Sequence, residues 1–430
     1  MTKTFLPPYK PANAAGTFEP DGLCIWLNES NQSAIPGRVD VLAHEYTHYL
    51  QTISTLYGTS DLLSLIGEIH ASIQRLEELG MDIQLPLRKW AKAADCPPLV
   101  KGIVATAEQR IKRRAASHAV ISDILRQDVA STHSLFYRDG QWYTPVHPPN
   151  RVPVEVAITP IVLLEGMAIA VESQVRGSID SIEEMYRAGD WKYVATYEAC
   201  RSAHASVDPL FSSKLLCDTA LCSPNPAATF AEGVSRLRSL PPNATTDDMI
   251  SLARTLFSQH CEADMTAISG QLQKAIDILP EDHKSGPSWA FVALRSALTA
   301  VRMRQGDSTQ LARAVNLSIS EIATQVGSPV VLTNDRRLTL LYEEPLKAVH
   351  LAIFSVRSIS MLCRLIVFGG RAACPYAGCP GCPSERAGAA CDTDVRRVIA
   401  LGDQLPWCAL YAAAAQLRVR YILTRSLLLT

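Results

Sequence analysis

Two histidines four positions apart are the residues of this sequence best suited to chemistry. His44 and His48 enclose Glu45 in the pattern His-Glu-x-x-His. On a helix this spacing places both imidazoles on one face, about one turn apart, so that they can share one zinc ion. Glu45 then lies beside the metal, where a carboxylate can take a proton from water as that water attacks an amide carbonyl. The pattern therefore predicts a metal-dependent hydrolase.

A zinc site of this kind needs a further protein ligand while one position stays open. Metzincins continue the motif as His-x-x-Gly-x-x-His, but Gln51 and Ser54 occupy the places of that glycine and last histidine, which excludes the class. Aspzincins continue with Gly-Thr-x-Asp-x-x-Tyr-Gly, and only the first half of that pattern follows here, which leaves Asp61 as a minor candidate. The better candidate is Glu165, in a second helical segment.

The segment around Glu165 combines a glutamate with small residues. Glu165 shares one helical face with Ala168 and Glu172, while Gly166 allows a neighbouring helix to approach closely. At this point the sequence resembles the gluzincin metallopeptidases, the thermolysin-like class, whose second metal helix typically carries a Glu-Gly-x-Ala segment with the glutamate as a zinc ligand. The resemblance covers two short segments, which are much farther apart in this sequence than is usual in gluzincins. Residues 59 to 158 would therefore form an insertion between the metal helices that could cover the cleft and restrict substrates.

The resemblance implies roles for residues of both helices. His44, His48 and Glu165 would hold a catalytic zinc ion, and Glu45 would be the general base. Glu172 would accept a hydrogen bond from a histidine N–H, or it is the exposed end of its helix. Gluzincins commonly supply a tyrosine or histidine after the second helix as the oxyanion donor. Four residues lie in that region, and nothing in the sequence selects among them: Tyr186, Tyr193, Tyr197 and His204.

Four cysteines gather near the C-terminus in a stretch rich in proline and glycine. Such a stretch bends tightly enough for several sulfurs to converge on one ion, which favours a structural zinc knuckle. The two spacings among the first three cysteines also match a plant-type iron–sulfur pattern, for which Cys408 could serve as a distant fourth ligand. The remaining alternatives are free thiols in a loop and a disulfide formed under stress. The predicted zinc ligands are Cys374, Cys379, Cys382 and Cys391.

Local signals predict the helices that position these residues. Apolar residues recur at spacings of three and four from Val41 to Tyr57, which predicts the His-Glu-x-x-His helix with Gly58 as its C-cap. Thr159 followed by Pro160 predicts the start of the second metal helix, because a cap residue stands ahead of a proline in the first turn.

Two Asp-Gly turn signals predict the β structure. One, at residues 21–22, precedes a β-prone run from Leu23 to Leu27, which predicts one short strand or a hairpin. The other, Asp139-Gly140, lies between two aromatic arms and predicts a hairpin. Most of the remaining sequence has helical character. The expected fold class is therefore mainly α with a small β element (α+β).

Length and composition define the expected organisation. Of 430 residues, 47% are hydrophobic and 19% are charged, which suits a globular chain and excludes a disordered one. The length predicts at least two domains. The best linker is the segment 239–248, which is followed by a helix from about Met249. We expect a zincin-like metallopeptidase domain over 1–238 and a helical domain with the cysteine cluster over 239–430.

Charge and hydropathy bear on partners and location. Lys and Arg number 41 against 42 Asp and Glu, so no global field attracts nucleic acid or an anionic membrane. The N-terminus has no apolar run with a cleavage site, and the most apolar stretch, Leu346 to Gly369, contains four basic residues, one of them a histidine. We therefore expect a cytoplasmic protein without membrane or nucleic-acid partners.

These features together predict a zinc-dependent metallopeptidase whose partners are a peptide or protein substrate and a regulatory protein that could move the segment between the metal helices. The first alternative is a catalytically silent, peptidase-like protein that binds or regulates another protein. The second is an iron- or haem-dependent peptide-modifying enzyme that uses the same His-Glu-x-x-His helix.

Overall fold

The structure is a computed structural model, and the part of the chain that it describes is mostly helical. The described residues are 15–20, 23–28, 39–79, 82–118, 122–124, 135–148, 153–279, 289–314, 319–332, 338–339, 362–369, 372–373, 392–393 and 426–428. The expectation of a mainly α protein with small sheets is confirmed for these residues.

The helices and strands are numbered here in chain order. The helices are α1 (Val39–Ser54), α2 (Leu56–Glu78), α3 (Leu87–Trp90), α4 (Pro98–His118), α5 (Pro160–Arg176), α6 (Asp180–Ala188), α7 (Trp191–Ala203), α8 (Pro209–Leu221), α9 (Pro226–Arg238), α10 (Thr246–His260), α11 (Glu262–Asp277), α12 (Trp289–Gly306), α13 (Gln310–Ala314) and α14 (Ile319–Val326). The strands are β1 (Gly16–Glu19), β2 (Cys24–Leu27), β3 (Ile83–Leu85), β4 (Ser122–Ile124), β5 (Phe136–Arg138), β6 (Gln141–Val146), β7 (Val154–Ala157), β8 (Val330–Leu332), β9 (Leu338–Thr339), β10 (Ala372–Ala373), β11 (Asp392–Thr393) and β12 (Ser426–Leu428).

A four-stranded sheet with the order β1-β2-β8-β9 lies beside α1. β1 and β2 form an antiparallel hairpin in which Gly16 pairs with Leu27 and Glu19 with Cys24. β8 joins β2 in parallel, although the two strands are distant in sequence. The run from Leu23 to Leu27 therefore forms the second arm of a hairpin. Among the described strands, β1 and β9 are the two edges of this sheet.

The second four-stranded sheet has the order β4-β7-β6-β5 and is antiparallel throughout. Its β5–β6 hairpin turns at Asp139 and Gly140, as the sequence predicts. Both residues have positive φ values, 51° and 81°. Two-residue turns that match the twist of a hairpin require this conformation. The aromatic arms pair across the strands, with Phe136 opposite Tyr143.

The junction of α1 and α2 corrects the predicted role of Gly58. α1 ends at Ser54, before the predicted Tyr57, and Gly58 lies in the first turn of α2, so it is not a C-cap. Thr55 caps α2, since its hydroxyl accepts a hydrogen bond from the Gly58 N–H at 3.1 Å. A Cβ at position 58 would lie 2.7 Å from the backbone oxygen of Thr52. The glycine is therefore needed because two helices meet closely there.

α5 begins as predicted. Thr159 is its N-cap, Pro160 is in the first turn, and Gly177 ends the helix with a φ of 70°. α5 packs against α1, α7 and α8. A Cβ on Gly166 would lie 2.9 Å from Cγ2 of Thr196 in α7 and nearer still to its hydroxyl oxygen. Gly166 therefore allows the close approach that the sequence predicts, and α7 lies directly beside the metal-site segment of α5.

A buried ion pair anchors the C-terminal end of α1. Arg304 of α12 donates two hydrogen bonds to the carboxylate of Asp218 in α8, at 2.5 and 2.6 Å. Arg304 also donates from Nε to the Ser54 hydroxyl at 3.0 Å. Both charged side chains are 1% exposed. Three helices are thus joined at a position less than two turns beyond His48.

Two hydrophobic clusters form the described core. One packs around α1 and includes residues from β2, α11, α12 and β8, and the other lies between the second sheet and α5 to α10. α10 begins at Thr246 with Thr245 as its cap, three residues before the predicted start. The domain boundary after residue 238 stays a prediction. Within the described ranges, no helix combines the length and the apolarity needed to cross a bilayer.

Candidate metal centre

Two helices bring three predicted ligands together. His44 and His48 project from α1 and Glu165 from α5, and one ligand atom of each lies within 4.8 Å of the other two. Oε2 of Glu165 is 3.6 Å from Nε2 of His44 and 3.3 Å from Nε2 of His48. The three side chains are only 8% to 15% exposed. Two imidazoles and a carboxylate are ligands that metal ions prefer. Because their ligand atoms also lie close together, the group could hold one metal ion.

Glu172 fixes the ring of His44. Its Oε2 atom lies 2.9 Å from Nδ1 of His44. An ionised carboxylate can only accept, so Nδ1 carries the proton, and the lone pair of a neutral ring is left on Nε2, toward the ligand group. The other oxygen of Glu172 accepts hydrogen bonds from Ser181 at 2.9 Å and Arg176 at 3.4 Å. Glu172 is therefore a partly buried partner of His44, an arrangement that the first of its two predicted roles requires.

Gln51 fixes the ring of His48. Its Nε2 donates to the backbone oxygen of Leu164 at 3.0 Å, which places its Oε1 against Nδ1 of His48 at 2.8 Å. That oxygen can only accept, so Nδ1 of His48 carries the proton and its Nε2 faces Glu165. Gln51 thus couples the orientation of a histidine on α1 to the backbone of α5.

Charges within the group compensate one another. Burial alone would lower the pKa of His44, but the nearby carboxylates of Glu165 and Glu172 outweigh it and raise the pKa to about 10. Burial would raise the pKa of Glu165, but the two histidines and Lys192 hold it well below its ordinary value of 4.5. Without a metal, protonated His44 balances the carboxylates, and a metal cation that binds must displace that proton.

Glu45 lies beside the ligands, next to β1. Burial raises the pKa of Glu45 above 4.5, although the charges of His44 and His48 oppose this. A Cβ on Gly16 would lie 2.9 Å from Cγ of Glu45, so the glycine in β1 makes room for this side chain. A buried carboxylate with a raised pKa is suited to accept a proton and return it.

The start of α7 adds two further side chains. The ring centroids of Tyr193 and His44 are 6.1 Å apart. Burial and the charge of Glu165 raise the pKa of Tyr193, so its hydroxyl stays protonated and can donate. Lys192 places its Nζ 3.3 Å from Oε1 of Glu165 and 4.6 Å from the centroid of the Tyr193 ring. Tyr193 is thus the aromatic candidate that contacts the ligand group.

The remaining aromatic candidates have other partners. Tyr186 donates a hydrogen bond to the buried carboxylate of Glu198. Tyr197 belongs to the hydrophobic cluster of the second sheet. His204 follows α7, where its Nε2 lies 3.0 Å from the backbone oxygen of Pro241 and its Nδ1 accepts two backbone N–H groups. These contacts give His204 a structural role at the end of that helix.

Two other predictions concern residues away from this group. Asp61, the minor candidate ligand, forms an ion pair with Arg110 at 3.2 Å and is not in the ligand group. The cysteine cluster Cys374, Cys379, Cys382 and Cys391, with Cys408, lies outside the described residues. The structural zinc knuckle therefore stays a prediction.

Sequence reasoning missed two residues of the centre, Gln51 and Lys192. Gln51 stands three positions after His48, a spacing that places both on one helical face, so this partnership could have been found. No local signal marks Lys192, because it meets Glu165 only after α5 and α7 have packed. Comparisons of the chain with models of protein families, with characterised proteins and with solved structures found no match.

Proposed function

We propose that this protein is a zinc-dependent metallopeptidase of the gluzincin type, which hydrolyses an amide bond in a peptide or protein. The observation that carries the proposal is the buried group of His44, His48 and Glu165 with Glu45 beside it. The helices that carry these residues support assignment to the gluzincins, because one helix supplies both histidines and a second supplies the glutamate from a Glu-Gly-x-Ala segment.

Zinc suits a site of two imidazoles and one carboxylate. When bound, it supplies a Lewis acid that polarises the substrate carbonyl and lowers the pKa of water. The protein prepares its donors for that ion, because Glu172 and Gln51 hold the two imidazoles with their Nε2 atoms toward Glu165. No rotation of either ring is then needed when the ion enters, which favours binding.

The side chains around the ligands suit the proton transfers of amide hydrolysis. Glu45 would take a proton from the attacking water and deliver it to the nitrogen of the leaving amine. Its burial and raised pKa support both halves of that task. Tyr193 would donate its hydroxyl hydrogen bond to the carbonyl oxygen, on which negative charge develops. The raised pKa of Tyr193 retains that proton.

The edge of β1 suits an extended peptide. The backbone oxygen of Ala15 accepts from the N–H of Asn28, and hydrogen-bonded pairs alternate along an antiparallel ladder. The backbone groups of Gly16 and Phe18 therefore face away from β2, at the edge of the described strands, where the Phe18 N–H donates a hydrogen bond to the Glu45 carboxylate. A substrate strand added there would pass next to Glu45, because that side chain adjoins Gly16.

The finer predictions from the sequence belong to the same proposal. A zincin-like domain would span 1–238, and residues 59 to 158 would restrict access to the cleft. The cysteine cluster would hold a structural zinc ion in the second domain. A cytoplasmic location is part of the proposal as well.

The test compares wild type with Glu45→Gln. We expect Glu45→Gln to retain its zinc, measured by elemental analysis, and to lose cleavage of a peptide library by about 100-fold or more, measured by mass spectrometry. Glu183→Gln makes the same chemical change at an exposed position of α6 and is the matched control. His44→Ala should lose the zinc ion of this site.

Other outcomes would contradict the proposal. Unchanged turnover in Glu45→Gln would remove Glu45 from the mechanism. Zinc content that does not respond to His44→Ala would remove the metal site. If wild type cleaves nothing and binds a protein tightly, the silent binding protein replaces the peptidase, and visible absorbance of the purified protein would instead favour iron or haem.

A further inference from the structure

The two carboxylate oxygens of Glu165 have different partners, because one of them contacts Lys192. Oε2 faces the Nε2 atoms of His44 and His48, at 3.6 and 3.3 Å. Oε1 faces the ammonium group of Lys192, at 3.3 Å. A carboxylate with both oxygens free can bind a metal through one or through two of them. With Oε1 turned to the ammonium group, Oε2 is the oxygen that faces the two histidines and a metal held by them.

Two features hold Lys192 in this position. It lies in the first turn of α7, which approaches α5 closely at Gly166 and Thr196, so its backbone is fixed relative to Glu165. Its Nζ also lies over the ring of Tyr193, 4.6 Å from the centroid, where a cation is attracted to the aromatic face. The side chain is 20% exposed, so water screens this ion pair only in part.

We propose that Lys192 is a positioning residue that restricts Glu165 to one ligating oxygen and thereby keeps a coordination position of the metal open. The inference rests on the proposed function only in that a metal occupies the His44, His48 and Glu165 group. A catalytic zinc site needs three protein ligand atoms and an open position, and a second oxygen from Glu165 would take that position. The ammonium charge also offsets the negative charge of Glu165, which leaves the ion a stronger Lewis acid.

The two effects of Lys192 act in opposite directions on binding and on reaction. Without the ammonium group, Glu165 offers two oxygens and its full charge to the metal, so the metal is held more tightly. The open position and part of the Lewis acidity are lost, so hydrolysis slows. If Lys192 had only a structural role, its substitution would instead weaken metal binding.

The test uses Lys192→Met in the full chain with Co²⁺ and Zn²⁺. We expect the d–d absorption of bound Co²⁺ to weaken, because its intensity falls when the coordination number rises. We expect Zn²⁺ to bind about 10-fold more tightly in chelator competition, and turnover to fall by about 10-fold or more. Lys192→Arg, which keeps the charge and the hydrogen-bond donor, should restore the wild-type spectrum.

Arg201→Met is the matched control. It removes a cation from the same helix, where Arg201 pairs with Glu198 at 2.8 Å, outside the ligand group. Its cobalt spectrum and zinc affinity should equal those of wild type. If Lys192→Met does not fold, as judged by its circular dichroism melt, the same spectra are measured on Lys192→Gln.

Three results would overturn the inference. They are an unchanged cobalt spectrum in Lys192→Met or its substitute, zinc binding that weakens, or the same changes in Arg201→Met. The cobalt and zinc measurements do not depend on hydrolysis, so they remain decisive even if the protein cleaves no peptide. If neither metal binds wild type at this group, the proposed function fails together with the inference, and His44→Ala identifies that case.

Discussion

Gly166→Ala is expected to disturb the metal site through the packing of two helices. The added methyl carbon would lie 2.9 Å from Cγ2 and 3.0 Å from Cβ of Thr196, whereas carbon atoms pack at about 3.5 to 4.0 Å. α5 and α7 must then separate by several tenths of an ångström or more. Overpacking of this kind costs about 1 to 3 kcal/mol. The helix preference of alanine over glycine offsets about 1 kcal/mol of it.

A double-mutant cycle with Thr196→Ala tests the assigned cause. Thr196→Ala removes the two nearest atoms but also loses the hydrogen bond from Ser213 at 2.8 Å, which costs about 1 kcal/mol. In the double variant only the Cβ contact at 3.0 Å remains, which a shift of about half an ångström relieves, so we expect a favourable coupling of about 1 kcal/mol in urea denaturation. Zinc affinity should fall in Gly166→Ala, because Glu165 is adjacent, and should recover in the double variant.

Gly270 provides the control, because a Cβ there meets nothing within 4 Å. Gly270→Ala should stabilise the protein by up to about 1 kcal/mol through helix preference alone. Changes at Gly166 and Thr196 that add within about 0.5 kcal/mol would refute the steric reasoning. Zinc affinity that is insensitive to Gly166→Ala would refute the link between helix packing and the ligand.

Three further predictions concern Glu172 and two charged groups buried among the helices that carry the centre, the Arg304–Asp218 pair and Lys214. Glu172→Gln should weaken zinc binding by about 10- to 100-fold in chelator competition, because His44 loses its charged partner, and unchanged affinity would contradict that role. Arg304→Met should lower the free energy of unfolding by about 3 to 5 kcal/mol in urea denaturation, since Asp218 stays buried without its partner. Combining Arg304→Met with Asp218→Leu should recover much of this loss. Losses that simply add in the double variant would contradict the prediction. Burial lowers the pKa of Lys214 to about 8 from its ordinary 10.5, so the unfolded chain binds more protons between these pH values and stability rises with pH across them. This rise in the free energy of unfolding is about 3 kcal/mol, and Lys214→Met should remove it. The measurement compares the unfolding free energies of wild type and Lys214→Met at both ends of this pH range. Parallel plots of unfolding free energy against pH would contradict the prediction.

The sequence predicts features that depend on neighbouring residues better than features that depend on contacts between distant parts of the chain. The turn at Asp139-Gly140 and the start of α5 at Thr159 were predicted, because each depends on the backbone preferences of neighbouring residues. Gly58 was assigned to the wrong role, since apolar periodicity continues across the junction of α1 and α2 and hides the break. The pairing of β8 with β2 had no local signal, because parallel strands distant in sequence share no turn.

The candidate site follows the same rule. His44 and His48 could be predicted from their spacing alone, because one helix carries both. Glu165 needed a resemblance to known metal helices, and the structure brings it to the histidines. The contact of Lys192 with Glu165 could not be predicted, since it depends on how closely α7 approaches α5, which one glycine and one threonine determine.

The separation of α1 and α5 along the chain also has a consequence for biogenesis. The ribosome makes Glu165 long after His48, at about 5 to 20 residues per second, so a growing chain carries the histidine pair alone for roughly ten seconds. Two imidazoles on an unpacked segment form a weak site, because the third donor and the buried surroundings are missing. Metal capture is therefore expected to be a late event, coupled to the docking of α5, and truncated chains that end before residue 165 should compete poorly for zinc.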